Sequence, residues 1–176
     1  MDVQRSIVAR YPDPEYLPRL RETIDAARAG GVPVIYVVVG FRPGFPEVTT
    51  RNKMFAGMLA RAAAAPADED GTQVHPDVAP APGEVVVTKR RVSAFAGSDL
   101  DVVLRAGRIE HLVLTGIATS GVVLSTLRQA ADLDFGLTVL DDGCLDADPE
   151  VHRVLTEKVF PRQAEVMSSA AWVAAL

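Results

Sequence analysis

The 176-residue sequence has one cysteine, Cys144, so no disulfide can form within the chain. That usage suits a reducing compartment, and a cytoplasmic location is the expectation. No apolar run approaches the roughly 18 residues of a membrane span. The opening Met1-Asp2-Val3-Gln4-Arg5 lacks the basic-then-apolar pattern of a secretory signal. The three histidines, His75, His111 and His152, fall in no His-x-His or Asp-x-His spacing, and Cys-x-x-Cys is absent too. No metal or other cofactor is expected. Glycine-rich nucleotide fingerprints are also missing: Gly116 to Gly121 is not GxGxxG and carries no Lys-Ser/Thr. Basic residues are scattered, and the net charge is −5. Nucleic acid and anionic membranes are therefore not expected as partners.

What is present is a sequence able to build a core. Hydrophobic residues make up 48% and charged residues 23%, values of a globular chain rather than a disordered one. The length predicts one domain over residues 1–176. Short apolar runs rich in β-branched residues recur at Val32–Val39, Glu84–Thr88, His111–Thr115, Leu137–Leu140 and Ala164–Met167. They are nearly continuous rather than alternating, as in strands covered on both faces.

Helical patterns lie between them. Pro14–Ala29 places Leu17, Leu20, Ile24 and Ala27 at helical spacing before Gly30-Gly31. Further helices are expected over Arg51–Ala64, over Asp99–Ala106 behind Ser98, from Thr119 or Ser120 to Leu133, and from Pro149 to Pro161 behind Asp148. Residues 65–83 read as a surface loop. The alternation predicts an α/β fold with a parallel sheet wrapped on both faces and right-handed crossovers.

Ligands bind beyond the carboxyl ends of such strands. Lys89 follows a strand directly, where its ammonium either enters a pocket or is solvated. A carboxylate from Asp2 beside it would make a proton donor and acceptor pair. Gly116-Ile117-Ala118-Thr119-Ser120-Gly121 passes from strand to helix. Its amides could hold an oxyanion, or the segment could simply be a tight, capped turn. Arg42 and Arg91 are candidates for an anionic substrate. Cys144 after Asp141-Asp142-Gly143 reads as a small buried hydrophobe, and His152 as a surface or packing residue.

In order, these pieces resemble the isochorismatase-like (cysteine hydrolase) family. Asp2-Val3-Gln4 is similar to its Asp-x-Gln, and Lys89-Arg90-Arg91-Val92-Ser93-Ala94-Phe95 to its Lys-x-Arg-x-Ser-Ala-Phe. Gly116 to Val123 resembles its Gly-x-Ala-Thr-x-x-Cys-Val turn, and Val139 to Cys144 the segment ending its next strand. The resemblance implies a three-layer, doubly wound parallel sheet of about six strands, and a homo-oligomer. Met54–Ala65 is a possible apolar contact face, or ordinary core packing.

Most members of that family are amidases with an Asp–Lys–Cys triad, whereas isochorismatases proper cleave a vinyl ether without a thiol. Carried over, Asp2 and Lys89 become catalytic, and Gln4, Ala118, Thr119, Gly121 and Val122 line the substrate. The bond Ile117–Ala118 is expected to be cis. The nucleophile's position falls on Val122, whose side chain cannot attack a carbonyl. The second strand runs on as Val39-Gly40-Phe41-Arg42-Pro43, without the Asp-x-His metal motif of nicotinamidases. Only Met1 stands before Asp2 where the family has an apolar strand, so a shortened first strand is expected. A hydrolase without a thiol nucleophile, or a non-catalytic binding or assembly module, would each fit.

Overall fold

The computed structural model describes residues 1–64 and 70–176. Helix α1 spans Arg5–Val8 and α2 Tyr16–Ala29, followed by strand β1 at Ile35–Val39 and α3 at Lys53–Ala64. Strand β2 at Val85–Lys89, α4 at Leu100–Ala106 and β3 at His111–Ile117 come next. The chain continues through α5 at Leu124–Asp132, β4 at Gly136–Leu145, α6 at Pro149–Val154, β5 at Glu165–Met167 and α7 at Ser169–Val173. Strand follows helix almost throughout, and every strand pairing is parallel. The α/β reading holds.

The sheet differs from the expectation of about six strands in one layer. Among the described residues there are five strands in two pieces, β1–β2 and β3–β4–β5. β1 pairs with β2 from Ile35 opposite Val85 to Val39 opposite Lys89. Among the described residues, backbone hydrogen bonds join the pieces through Met1 and Asp2. The Asp2 amide donates to the Val37 carbonyl (2.8 Å), the Met1 ammonium donates to the Thr115 carbonyl (3.0 Å), and the Met1 carbonyl accepts from the Ile117 amide (3.2 Å). Two residues make a splice but not a strand, because the chain turns away at Asp2 with φ of 56°.

After that turn, residues 3–5 leave the sheet. The Arg5 amide donates to Gln73 (3.0 Å), the His75 amide donates to Val3 (2.9 Å), and Gln4 forms an antiparallel bridge with Val74. Of the expected 65–83 loop, residues 65–69 lie outside the described residues. The remainder holds 3-10 turns at Asp70–Thr72 and Pro76–Val78, with Val78 buried.

Several boundaries shift for local reasons. β1 starts after Pro33, which has no amide to donate to a ladder. β4 runs straight through Asp141-Asp142-Gly143, residues whose turn chemistry predicts an end. Tertiary partners override it. The Asp142 carboxylate accepts from the amide and hydroxyl of Ser169 (both 2.7 Å), and the Tyr16 hydroxyl donates to the Gly143 carbonyl (3.3 Å). A register shift opposite Leu114 and Gly116 absorbs the irregularity. α5 begins at Leu124 because the preceding Thr119–Val123 segment forms a wider, π-type turn. A second wide turn at Leu155–Val159 follows α6, and Pro161 sits in the closing 3-10 turn.

Two apolar clusters hold the layers. One gathers Val37, Val87 and Val139 from the sheet with Leu104 from α4 and Leu127 from α5. The other joins Tyr16 and Leu20 of α2 to Val3, Val78 and Ile117. Gly116 is the close point between the splice and β3: a Cβ there would collide with the Met1 carbonyl, and its φ of 147° suits glycine alone. Gly116→Ala should therefore cost about 2 kcal/mol or more of unfolding free energy, read by urea denaturation. An unchanged midpoint would mean that the splice is not a fixed part of the fold.

Candidate active site

Lys89 is the last residue of β2, so its position is set by the ladder to Val39. Its ammonium lies 2.9 Å from Asp2 Oδ2 and donates to the Arg91 carbonyl at 3.0 Å. Both side chains are buried, at 3% exposure for Lys89 and 9% for Asp2. The other carboxyl oxygen, Oδ1, is buried with no hydrogen-bond partner. Burial pushes the Asp2 carboxyl above its ordinary pKa, and the Lys89 charge only partly opposes that. The group thus keeps its proton to a higher pH than an exposed aspartate does.

The segment after Lys89 is anchored to α5. Thr126 Oγ1 accepts from the Ala94 amide (2.9 Å), and the Ser93 hydroxyl donates to Gln129 (2.7 Å). The Ile117–Ala118 bond is cis. In the following turn Thr119 is fully buried with Oγ1 2.9 Å from His152 Nδ1. The Ser120 amide donates to the Asp146 carboxylate (2.7 Å), while Gly121 and Val123 both donate to the Ala118 carbonyl (3.0 and 3.3 Å). Three of the turn's amides are thus committed inside the fold, where an oxyanion cradle needs them free. Val122 is buried in the main core cluster beside Val37 and Val87, the strands that carry Asp2's backbone partner and Lys89.

The remaining sequence candidates lie elsewhere. The Gln4 amide is consumed by backbone: Nε2 donates to the carbonyls of Val39 (3.1 Å) and Thr72 (2.7 Å), and Oε1 accepts from the Val39 amide (2.8 Å). It clamps the end of β1. Arg42 is largely exposed and pairs with Glu47 at 2.6 Å. Arg91 donates to the Glu47 carbonyl (2.7 Å) and lies over the Phe55 ring. With Arg90, Ser98 and Asp99 these two arginines line an open cleft of about 790 Å³ whose lining includes neither Asp2 nor Lys89.

Sequence reasoning missed Glu47, which organises that cleft, and the contact from His152 to Thr119. Neither carries a spacing signal, since each meets its partner only through the fold. Cys144 sits buried inside β4, where desolvation pushes its thiol up to about 12. It is a packing residue. Among the described residues no group of three or more His, Cys, Asp or Glu side chains could hold a metal ion, and no helix is long and apolar enough to cross a membrane.

Compared with known proteins, residues 1–171 match the isochorismatase domain. The chain belongs to the isochorismatase family. A ureidoacrylate amidohydrolase of Caulobacter vibrioides is 34% identical over 148 residues, covering 74% of this chain and 63% of that protein. The structure of an isochorismatase family protein from Burkholderia thailandensis superposes with a TM-score of 0.83 at 30% identity, over 99% of this chain and 92% of that one. The N-carbamoylsarcosine amidase of Thermoplasma acidophilum gives 0.74 at 28%, over 96% and 92%. The chain spans about three fifths of the length of the first curated relatives it matches. Membership in the isochorismatase family makes the chain similar to hydrolases and leaves the substrate to its own site.

The buried pair yields two predictions. Lys89→Met leaves a carboxylate alone in the interior and should cost about 3 kcal/mol or more at pH 8. The loss should shrink at acid pH, where the carboxyl takes up a proton; a pH-independent loss in denaturant titrations would contradict the pairing. The second concerns Asp2 itself. Its raised folded pKa means that its contribution is fully present below the unfolded value of about 3.9 and is lost as pH rises through the folded value. The stability of the wild type should therefore fall relative to Asp2→Asn as pH rises from about 4. Parallel pH profiles would refute the shift.

Proposed function

We propose that this protein is a hydrolase that works without a thiol nucleophile, using Asp2 as general acid and Lys89 as its charge partner, on a small anionic molecule of the enol-ether type. The observation that carries the reading is the unpartnered, buried Oδ1 of Asp2 beside an Oδ2 held by Lys89. Burial raises the pKa of this carboxyl, and Lys89 opposes that only in part. Val122 offers no nucleophile.

In the proposed reaction the Asp2 proton goes to the vinyl carbon, and the electron pair of the double bond forms the new C–H bond. The ether oxygen shares the resulting positive charge. Water adds to the cationic carbon, losing a proton that restores Asp2. The hemiketal then collapses to a ketone and an alcohol. Lys89 limits the charge left on Asp2 at the moment of transfer and faces the substrate's carboxylate. A cytoplasmic homo-oligomer belongs to the same reading, with the exposed Met54 on α3 available to a second copy.

One observation favours the non-catalytic alternative: Asp2 and Lys89 are almost closed to solvent, and the larger cleft opens elsewhere. Assay of isochorismate and related enol ethers separates the readings. Turnover should fall about 10²–10⁴-fold in Asp2→Asn, and kcat/KM should decline as pH rises through the Asp2 pKa. Alkylation with iodoacetamide should leave activity intact, because the one thiol is buried and protonated. Absence of enol-ether turnover sinks the substrate assignment, and inactivation by alkylation sinks the thiol-free mechanism. Ureido and carbamoyl compounds, the substrates named for relatives, serve as the comparison set.

A further inference from the structure

β2 is the outer strand of its sheet piece: β1 pairs along one side, and among the described residues no strand pairs along the other. The Gly40 amide donates to the Lys89 carbonyl (3.2 Å), so Lys89, and with it Val87 and Val85, turns its peptide groups toward β1. Peptide groups alternate in direction along a strand, so those of Glu84, Val86, Thr88 and Arg90 point outward. The first and last amides of that set are already used. Glu84 donates to the Ala81 carbonyl (3.1 Å) and Arg90 to the Ala96 carbonyl (3.2 Å). Between them, Val86 and Thr88 have no backbone partner on the outer side among the described residues. The bare edge thus runs from Val86 to Thr88, with both ends closed by the chain's own turns.

This edge is apolar and unguarded. Val85 is 39% exposed and Val86 46%. The run Val85-Val86-Val87-Thr88 holds no proline, charge or bulge, the devices by which edge strands avoid pairing. The open cleft of about 790 Å³ lies along the same edge, at Val86, Thr88 and Arg90, with Ser98 and Asp99 on its wall. An added strand has room there.

We propose that this edge binds the same edge of a second copy, antiparallel about a two-fold axis at Val87. In that register Val86 lies opposite Thr88 of the other copy and exchanges both backbone hydrogen bonds with it, and the symmetry repeats the pair. Every free N–H and C=O of the edge is then used. A shift of two residues in one direction sets Thr88 against the committed Glu84 amide, and in the other sets Val86 against the committed Arg90 amide. Either shift strands a carbonyl. The favoured register also places Glu84 opposite Arg90 of the other copy, carboxylate against guanidinium. This self-match in length, bonding groups and charge selects a second copy over an unrelated strand. The inference gives the proposed homo-oligomer a definite surface and is independent of the proposed chemistry at Asp2.

Sedimentation and amide hydrogen exchange on the full chain test it. At high micromolar concentration the wild type should sediment as a dimer or a multiple of one. On dilution the Val86 and Thr88 amides should exchange about tenfold faster or more, while those of Val87 and Lys89, which face β1, stay slow throughout. Val86→Lys, at an exposed position, should keep the wild-type thermal midpoint in dilute solution and weaken the dimer about tenfold or more. Thr88→Pro removes one outward donor and should weaken it similarly. If Thr88→Pro does not fold, Val86→Lys decides alone. A monomer at high micromolar concentration overturns the proposal. So does an assembly whose mass and exchange are unchanged in Val86→Lys, a result that would leave the homo-oligomer to another surface such as α3.

Discussion

The buried contact between Asp2 and Lys89 is where the structure's constraints converge. Asp2 belongs to a two-residue splice between two sheet pieces, and Lys89 ends the strand that lies one place beyond β1. The ion pair therefore acts across β1 and ties the splice to the edge of the sheet. Taking a carboxyl and an ammonium out of water is unfavourable, and a single contact of 2.9 Å with one further carbonyl offsets it only in part. The orphaned Oδ1 is the residue of that imbalance. A fold selected for stability alone has better uses for this position, such as an apolar pair of similar volume.

Around it, the fold spends its polar groups on holding backbone in place. Gln4 clamps the end of β1, Thr126 and Gln129 fix the segment after Lys89, and Asp142 binds Ser169 at the start of α7. Each of these side chains satisfies an amide or hydroxyl that would otherwise be stranded inside. The same economy explains why the Gly116–Gly121 turn has few amides to offer a ligand: its donors already serve Ala118 and Asp146.

Much of this was legible in the chain. Continuous β-branched runs between helical patterns identify the parallel α/β layers, because burial on both faces leaves no polar alternation to confuse the reading. Lys89 at a strand end and the cysteine-free Gly116–Val123 turn were visible as residues in order. The break of the sheet into two pieces was not visible. It depends on how far residues 1 and 2 reach, and on a ladder between partners more than 30 positions apart. Nor could spacing reveal that Arg42 and Arg91 gather around Glu47, since a charge on a loop carries no periodic signal.

By itself, then, the sequence determined which elements form and which chemical groups are available, since propensity, patterning and residue type are local properties. Tertiary structure alone decided two things: that Asp2 and Lys89 meet with one oxygen left over, and that amides of the Gly116–Val123 turn are used internally. These are matters of distance and desolvation between segments far apart in the chain. They exist only once the backbone has closed around them.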